Sequence, residues 1–332
     1  MRHTFFCIDG HTAGNPVRLV VGGAPLLRGA TMAERRQDFI ERFDWIRTSL
    51  CFEPRGHDMM SGGFLYPPTS PEADCGILFI ETSGCLPMCG HGTIGMVTFG
   101  LEHGLIQPRE PGRLSIEVPA GTIGIEYRQD GPKVTAVRIR NVPSYLAAEG
   151  IAIDVPGFGP LSVDVAYGGN FYAIVEPQGP YAGLDDLGAS RLVELSRTIR
   201  ALVREAYEPV HPLDDRIRGV SHVLWADAPK GEGADGRNAV FYGERAIDRS
   251  PCGTGTSARL AHLAGTGRLR PGDSFVHESY IGSRFIGRVE EATTVGNHPA
   301  IVPSIEGSAV ATGFNTIWID RDDPFWRGFS VT

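Results

Sequence analysis

Cys89-Gly90-His91-Gly92-Thr93-Ile94-Gly95 and Cys252-Gly253-Thr254-Gly255-Thr256-Ser257-Ala258 align without a gap. Continuing in register, Gly104 meets Gly267 and Pro108 meets Pro271. The offset is 163 residues, about half of the 332-residue chain. The repeat predicts two similar domains, in line with roughly 150 residues per domain. In each, Cys-Gly-x-Gly-Thr opens a helix that ends near the later glycine.

Outward from the first copy, Gly76 to Ile80 reads as a buried strand, and Thr93 to about His103 as the helix after it. Around the second copy, Val240 to Tyr242 and Ser257 to Leu263 read the same way. Further strand-like runs are Val17 to Val21, Leu114 to Val118, Thr122 to Tyr127, Val134 to Ile139, Phe171 to Val175 and Asn315 to Ile319. Most are rich in β-branched or aromatic residues and bounded by Gly, Pro, Asp or Asn. Two segments carry helical period: Phe39, Ile40, Phe43, Ile46 and Leu50, and then Leu192, Leu195, Ile199, Leu202 and Ala206. Strands outnumber helices, so the class is α+β or mixed α/β.

Composition narrows the function classes. At 42% hydrophobic and 21% charged, the chain has ordinary globular usage. Apolar runs such as Ile77 to Ile80 fall far short of the ~20 residues that span a bilayer. The opening Met1 to Cys7 runs into Asp9 without the apolar core of a signal peptide. A cytoplasmic protein with no membrane partner is expected. The net charge of −8 disfavours nucleic acid, which calls for a basic patch. The only lysines, Lys133 and Lys230, sit beside Gly and Pro in turn-like contexts, unlike a buried catalytic amine. The six cysteines are too sparse for a disulfide scaffold and are expected as reduced thiols. Cys7, Cys51 and Cys75 read as small core hydrophobes.

Cys89 and Cys252 read differently because each is succeeded by Gly-x-Gly-Thr and a helix. A cysteine at a helix N-terminus meets unpaired N–H groups and the positive dipole end, which favour a thiolate. The adjacent glycines leave N–H groups accessible to a carboxylate. Two related domains facing one another would bring two thiols and two anion-binding helix starts to one cleft. Inverting a stereocentre beside a carboxylate needs a base on one face of the carbon and an acid on the other. A thiolate and a thiol supply both, while backbone donors stabilise the enediolate-like charge. Racemisation through pyridoxal phosphate needs a Schiff-base lysine, which neither turn lysine supports. No cofactor is expected.

Several blocks are highly specific: Asp9-Gly10-His11-Thr12-Ala13-Gly14-Asn15-Pro16, Arg55-Gly56-His57-Asp58, Met88-Cys89-Gly90-His91, Gly168-Gly169-Asn170-Phe171 and Asp248-Arg249-Ser250-Pro251-Cys252-Gly253-Thr254-Gly255-Thr256. With these blocks the chain resembles the proline racemase family from end to end, down to Gly313-Phe314-Asn315-Thr316. The resemblance implies a cofactor-independent isomerase with a fold like diaminopimelate epimerase. It implies two domains, each a curved sheet around a central helix, with the active site in the cleft between them. The boundaries expected are 1–160 with a C-terminal return over 311–332, and 161–310.

Single positions choose the branch. Dehydratase members typically carry threonine at the second cysteine position, whereas this chain has Cys252. Ser61 stands where proline racemases typically place phenylalanine, and His222 where they tend to lack histidine. Both add hydrogen-bonding capacity for a ring hydroxyl. The resemblance thus implies 4-hydroxyproline epimerisation at C2, with proline racemisation as the alternative and 3-hydroxyproline dehydration more remote. It also implies that Asp248 pairs with the ring ammonium and that Gly90, His91, Gly253 and Thr254 bind the carboxylate. The role of Tyr242 stays open.

Blander readings stand beside these. Gly90 to Gly95 satisfies the dinucleotide pattern G-x-G-x-x-G, but its repeat copy ends in Ala258. Cys85, Cys89 and His91 suggest metal ligands, yet the sequence offers no complete four-ligand set, so no metal is expected. His91 has an alternative as a local backbone partner, His222 as a core histidine, Asp248 as a turn residue and Ser61 as a loop serine. His11, His57 and Asp58 suit packing or backbone bonding. A non-catalytic amino-acid-binding protein would keep the cleft but would need neither thiol. A homodimer remains open as an assembly.

Overall fold

The computed structural model describes residues 2–331 and divides into two compact units, Met1–Ile139 with Gly307–Thr332, and Arg140–Glu306. In the first unit the strands take the spatial order Ala309–Asp320, Arg2–Thr12, Asn15–Gly22, Ser61–Tyr66, Cys75–Glu81, Arg113–Val118, Gly121–Asp130 and Lys133–Arg140. All neighbours are antiparallel except at two steps, Asn15–Gly22 with Ser61–Tyr66 and Cys75–Glu81 with Arg113–Val118. A parallel step needs a crossover connection. These two crossovers carry helices α1 (Met32–Cys51) and α2 (Gly90–Glu102).

The second unit repeats the plan. Its strand order is Ser144–Val155, Gly159–Tyr167, Phe171–Val175, Val220–Asp227, Gly236–Tyr242, Ser274–Glu278, Arg284–Val295 and His298–Gly307. The parallel steps fall at the same two places and carry α3 (Ala189–Ala206) and α4 (Gly253–Gly265). Ala300 and Ile301 pair with Tyr145 and Ser144, so the strands close on themselves. In the first unit the C-terminal strand Ala309–Asp320 takes the place that Ser144–Val155 holds in the second.

The repeat in sequence is therefore a repeat in structure. Helices α2 and α4 are both thirteen residues long. Each ends on a left-handed glycine, Gly104 at φ 67° and Gly267 at φ 75°, the conformation that a helix C-terminus uses to satisfy its last carbonyls. Each is the central helix of its unit: His91 through Gly100 are all buried in α2, as are Gly255 through Leu263 in α4. Small residues permit this enclosure. A Cβ on Gly95 would lie 2.9 Å from Val17 and Thr12, and one on Gly168 would lie 2.3 Å from the backbone of α4. Helices α1 and α3 instead present one apolar stripe to a sheet, with Phe39, Ile46 and Leu50 buried in α1 and Leu192, Leu195, Ile199 and Val203 in α3.

The expected boundary at 160 differs from the observed one after Ile139. Ser144–Val155 pairs along its length with Gly159–Tyr167, so that hairpin belongs to one unit. Ser61-Gly62-Gly63, for which a loop was the alternative, opens a strand instead. A Cβ on Gly62 would meet the Arg18 carbonyl at 2.3 Å, and one on Gly63 the Leu78 carbonyl at 2.4 Å. Among the described residues no helix is long and apolar enough to cross a membrane.

Candidate active site

In the first unit the strand Cys75–Glu81 and the short strand Gly84–Leu86 lead the chain to Cys89, the residue that caps α2. Four side chains gather there. The Cys89 thiol donates to Glu81 Oε1 at 3.4 Å, His91 Nδ1 lies 3.5 Å from the sulfur, and Ser61 Oγ lies at 4.0 Å. Two of these partners are themselves held. Ser83 Oγ donates to Glu81 Oε2 at 3.0 Å, and Asn15 Nδ2 meets His91 Nε2 at 3.0 Å. With the Asn15 amide donating, His91 carries its proton on Nδ1 and presents it to the sulfur. Cys89, Glu81, His91 and Ser61 are all buried.

In the second unit Cys252 caps α4 with φ 66°, a conformation that L-residues rarely adopt and that costs about 1–3 kcal/mol. Its neighbours are hydroxyls. Tyr172 Oη lies 3.4 Å from the Cys252 sulfur and 2.6 Å from Thr254 Oγ1, which is itself 3.8 Å from the sulfur. Ser250 Oγ accepts the Cys252 amide, and Asp248 Oδ1 accepts both the amide and the hydroxyl of Ser250. The ring of Tyr172 stacks on His222 at 4.7 Å, and His222 in turn stacks on Tyr242 at 6.4 Å. Ser221 Oγ lies 2.6 Å from His222 Nδ1.

The spacing Cys-Gly-x-Gly has a steric reason common to both units. A Cβ on Gly92 would stand 3.0 Å from Cys89 Sγ, and one on Gly255 would stand 3.3 Å from Cys252 Sγ. The second glycine thus clears the room each sulfur occupies. The amides of Gly90, His91 and Gly92 precede the first intrahelical bond of α2, from Thr93 N–H to Cys89 O; those of Gly253, Thr254 and Gly255 precede the matching bond from Thr256 to Cys252. Helix starts of this kind are suited to an anionic group.

The thiolate that a helix start favours is not what the structure gives: burial pushes the Cys89 thiol well above its usual range, reinforced by the Glu81 carboxyl and only partly offset by the Gly92 amide and Ser61. Cys252 is pushed up to about 12, mainly by burial and next by Asp248, against the Tyr172 hydroxyl, the Gly255 amide and Thr254. Burial likewise raises Glu81. His222 is driven down to about 3 by its desolvated place between aromatic rings and secondarily by Arg200, so its imidazole is neutral.

The structure brings Ser61, Gly90 and His91 together around Cys89, and Thr254 and Gly253 beside Cys252. Asp248 is buried near Cys252 and forms the Asx turn that its alternative reading describes. Ser61 and His222 hold matching places in the two units. Each lies in the strand that enters by the first parallel step, next to the strand leading to the cysteine. Cys85 is packed in the core of the first unit rather than at the Cys89 cluster. His11 and His57 accept local amides through Nδ1, and both lysines are exposed. Glu81, Asn15 and Tyr172 are site residues that the sequence does not single out. A glutamate closing the all-apolar run Ile77–Ile80, eight residues before a helix-start cysteine, is the one available signal.

Each unit carries a glycine-flanked thiol at the start of its central helix, so the chain belongs to the class of α+β proteins built from two such repeated units. The chain belongs to the proline racemase family, whose model matches residues 7–330. It is 61% identical to the 4-hydroxyproline epimerase of Brucella ovis over 330 residues, covering 99% of both chains. Among solved structures it is similar to a hydroxyproline epimerase from Agrobacterium vitis with bound trans-4-hydroxy-L-proline, at TM-score 0.85 and 30% identity, over 100% of this chain and 97% of that one. It is also similar to a probable proline racemase from Agrobacterium radiobacter with bound carbonate, at TM-score 0.86 and 32% identity, over 98% and 96% of the two chains.

Proposed function

We propose that this protein is a cofactor-independent 4-hydroxyproline 2-epimerase that interconverts trans-4-hydroxy-L-proline and cis-4-hydroxy-D-proline. The reading is carried by cysteine at both helix starts in a chain so close, over its full length, to the Brucella epimerase. One cysteine as thiolate takes the α-proton from one face of C2. The electron pair passes into the carboxylate, which becomes enediolate-like. The other cysteine, as thiol, returns a proton from the opposite face, and the roles exchange in the reverse direction.

The helix-start amides at Gly90, His91, Gly253 and Thr254 hold the carboxylate where negative charge grows, the most productive place for fixed donors. Asp248 pairs with the ring ammonium, and Ser61 and His222 engage the ring hydroxyl. A thiol pair that must stay reduced suits action in the cytoplasm on the free imino acid.

Proton NMR and polarimetry in deuterated water test this with a panel of proline and hydroxyproline stereoisomers. Trans-4-hydroxy-L-proline is expected to epimerise and gain deuterium at C2 without added cofactor. Faster turnover of L-proline would favour proline racemisation instead.

A further inference from the structure

Glu81, Cys89 and His91 also form a donor set that a proton relay does not require. Their ligand atoms all lie within 4.8 Å of one another, and all three residues are buried. Zinc bonds of about 2.3 Å to sulfur, 2.0–2.1 Å to nitrogen and 2.0–2.2 Å to oxygen, at tetrahedral angles, separate the donor atoms by about 3.3–3.6 Å. Cys89 Sγ stands 3.4 Å from Glu81 Oε1 and 3.5 Å from His91 Nδ1. Two edges of the tetrahedron are already in place.

The outer atoms of the ligands are anchored as well. Ser83 holds Glu81 Oε2, and Asn15 holds His91 Nε2. A metal on Nδ1 would leave the proton on Nε2, and a half-turn of the Asn15 amide presents its oxygen to that proton. Such outer contacts orient ligands in metal sites and cost 10–100-fold in affinity when removed, an order of magnitude we adopt as roughly the expected scale. Cys252 has no such set. The groups nearest its sulfur are the Tyr172 and Thr254 hydroxyls, with the Asp248 carboxyl nearby, and among the described residues no other group of three His, Cys, Asp or Glu side chains meets the spacing.

We propose that Glu81, Cys89 and His91 bind a zinc-like divalent cation with one open coordination position, and that the cation selects Cys89 over Cys252. Binding displaces the thiol proton to solvent and takes the sulfur lone pair into the metal bond. On the function proposed above, the cation is then an inhibitor that disables one of the two bases. Binding itself does not rest on that function.

The test uses the reduced, chelator-treated full chain with zinc or cobalt(II) and no substrate. One cation per chain is expected by equilibrium dialysis, with cobalt giving the thiolate charge-transfer and intense d–d absorption of a tetrahedral site. In the unmodified protein, zinc should slow alkylation of Cys89 by iodoacetamide, read by peptide mass spectrometry, and leave Cys252 unchanged. Binding should vanish in Cys89→Ala, persist in Cys252→Ala and weaken about tenfold or more in Ser83→Ala. Equal protection of both cysteines, protection of neither, or stoichiometric binding that survives Cys89→Ala overturns the proposal. Metal binding without loss of turnover would instead contradict the reading of Cys89 as an essential base.

Discussion

Glu81 Oε1 accepts the Cys89 thiol at 3.4 Å, a buried carboxyl against a buried sulfur with Ser83 holding the carboxyl from behind. In its ionised form this carboxyl opposes the thiolate, while burial raises Glu81 itself. Glu81→Gln keeps the shape and removes the charge, so the Cys89 pKa should fall and its alkylation at fixed neutral pH should speed up. One unit of pKa is about a factor of ten in thiolate. Mapping alkylation rate against pH, peptide by peptide, checks this; an unchanged or slower rate at Cys89 would rule out that coupling.

His222 is neutral, stacked between Tyr172 and Tyr242, and bonded to Ser221. If His222 engages the ring hydroxyl as proposed, His222→Ala should cost the hydroxylated substrate roughly 1–3 kcal/mol of binding, about 5- to 150-fold in kcat/KM, because that hydroxyl loses its partner. L-Proline should lose far less. Equal losses on both substrates would return His222 to a packing role.

Tyr172 Oη bridges the Cys252 sulfur and Thr254. Tyr172→Phe removes a donor to a charged sulfur, a contact worth about 1.5–3 kcal/mol. Deuterium exchange on the face served by Cys252 should slow roughly ten- to a hundredfold, and exchange on the other face much less. A uniform effect on both faces would count against the assignment.

Both thiols are raised, so near neutral pH the protonated form dominates and the base is the minor species. Raising the pH through roughly 6 to 8 should therefore increase kcat/KM by about tenfold per unit, as one thiolate becomes available. The rise ends once the second thiol also ionises, because the acid is then lost. A flat profile in that range would point to a base other than a buried thiol.

Much of the architecture is legible in the residues. The Cys-Gly-x-Gly-Thr repeat locates both central helices and their ends, because a capping residue, the clearance glycine and the left-handed terminal glycine are all local requirements. The apolar run Phe171–Val175 coincides with its strand to the residue. The two helices with one apolar stripe show in their period, whereas strands such as Ser61–Tyr66 are obscured by glycines whose reason is the close approach of another backbone. Tyr172 reaches the Cys252 thiol from a strand 80 residues away in sequence, where no local pattern marks it, whereas Glu81 ends the strand that leads to Cys89 and shows only as a glutamate closing an apolar run. The φ of Cys252 belongs to the same class, since a non-glycine residue there carries no sequence mark.

The most direct measurement is the fate of the α-proton in Cys89→Ser and Cys252→Ser, each incubated with either epimer in deuterated water. Serine keeps the size of cysteine but is far less acidic, so it cannot serve as the base near neutral pH. Net epimerisation should be abolished in both variants, while each still exchanges the α-proton of one epimer, and the two variants favour opposite epimers. Full epimerase activity in either variant would contradict the paired-thiol mechanism.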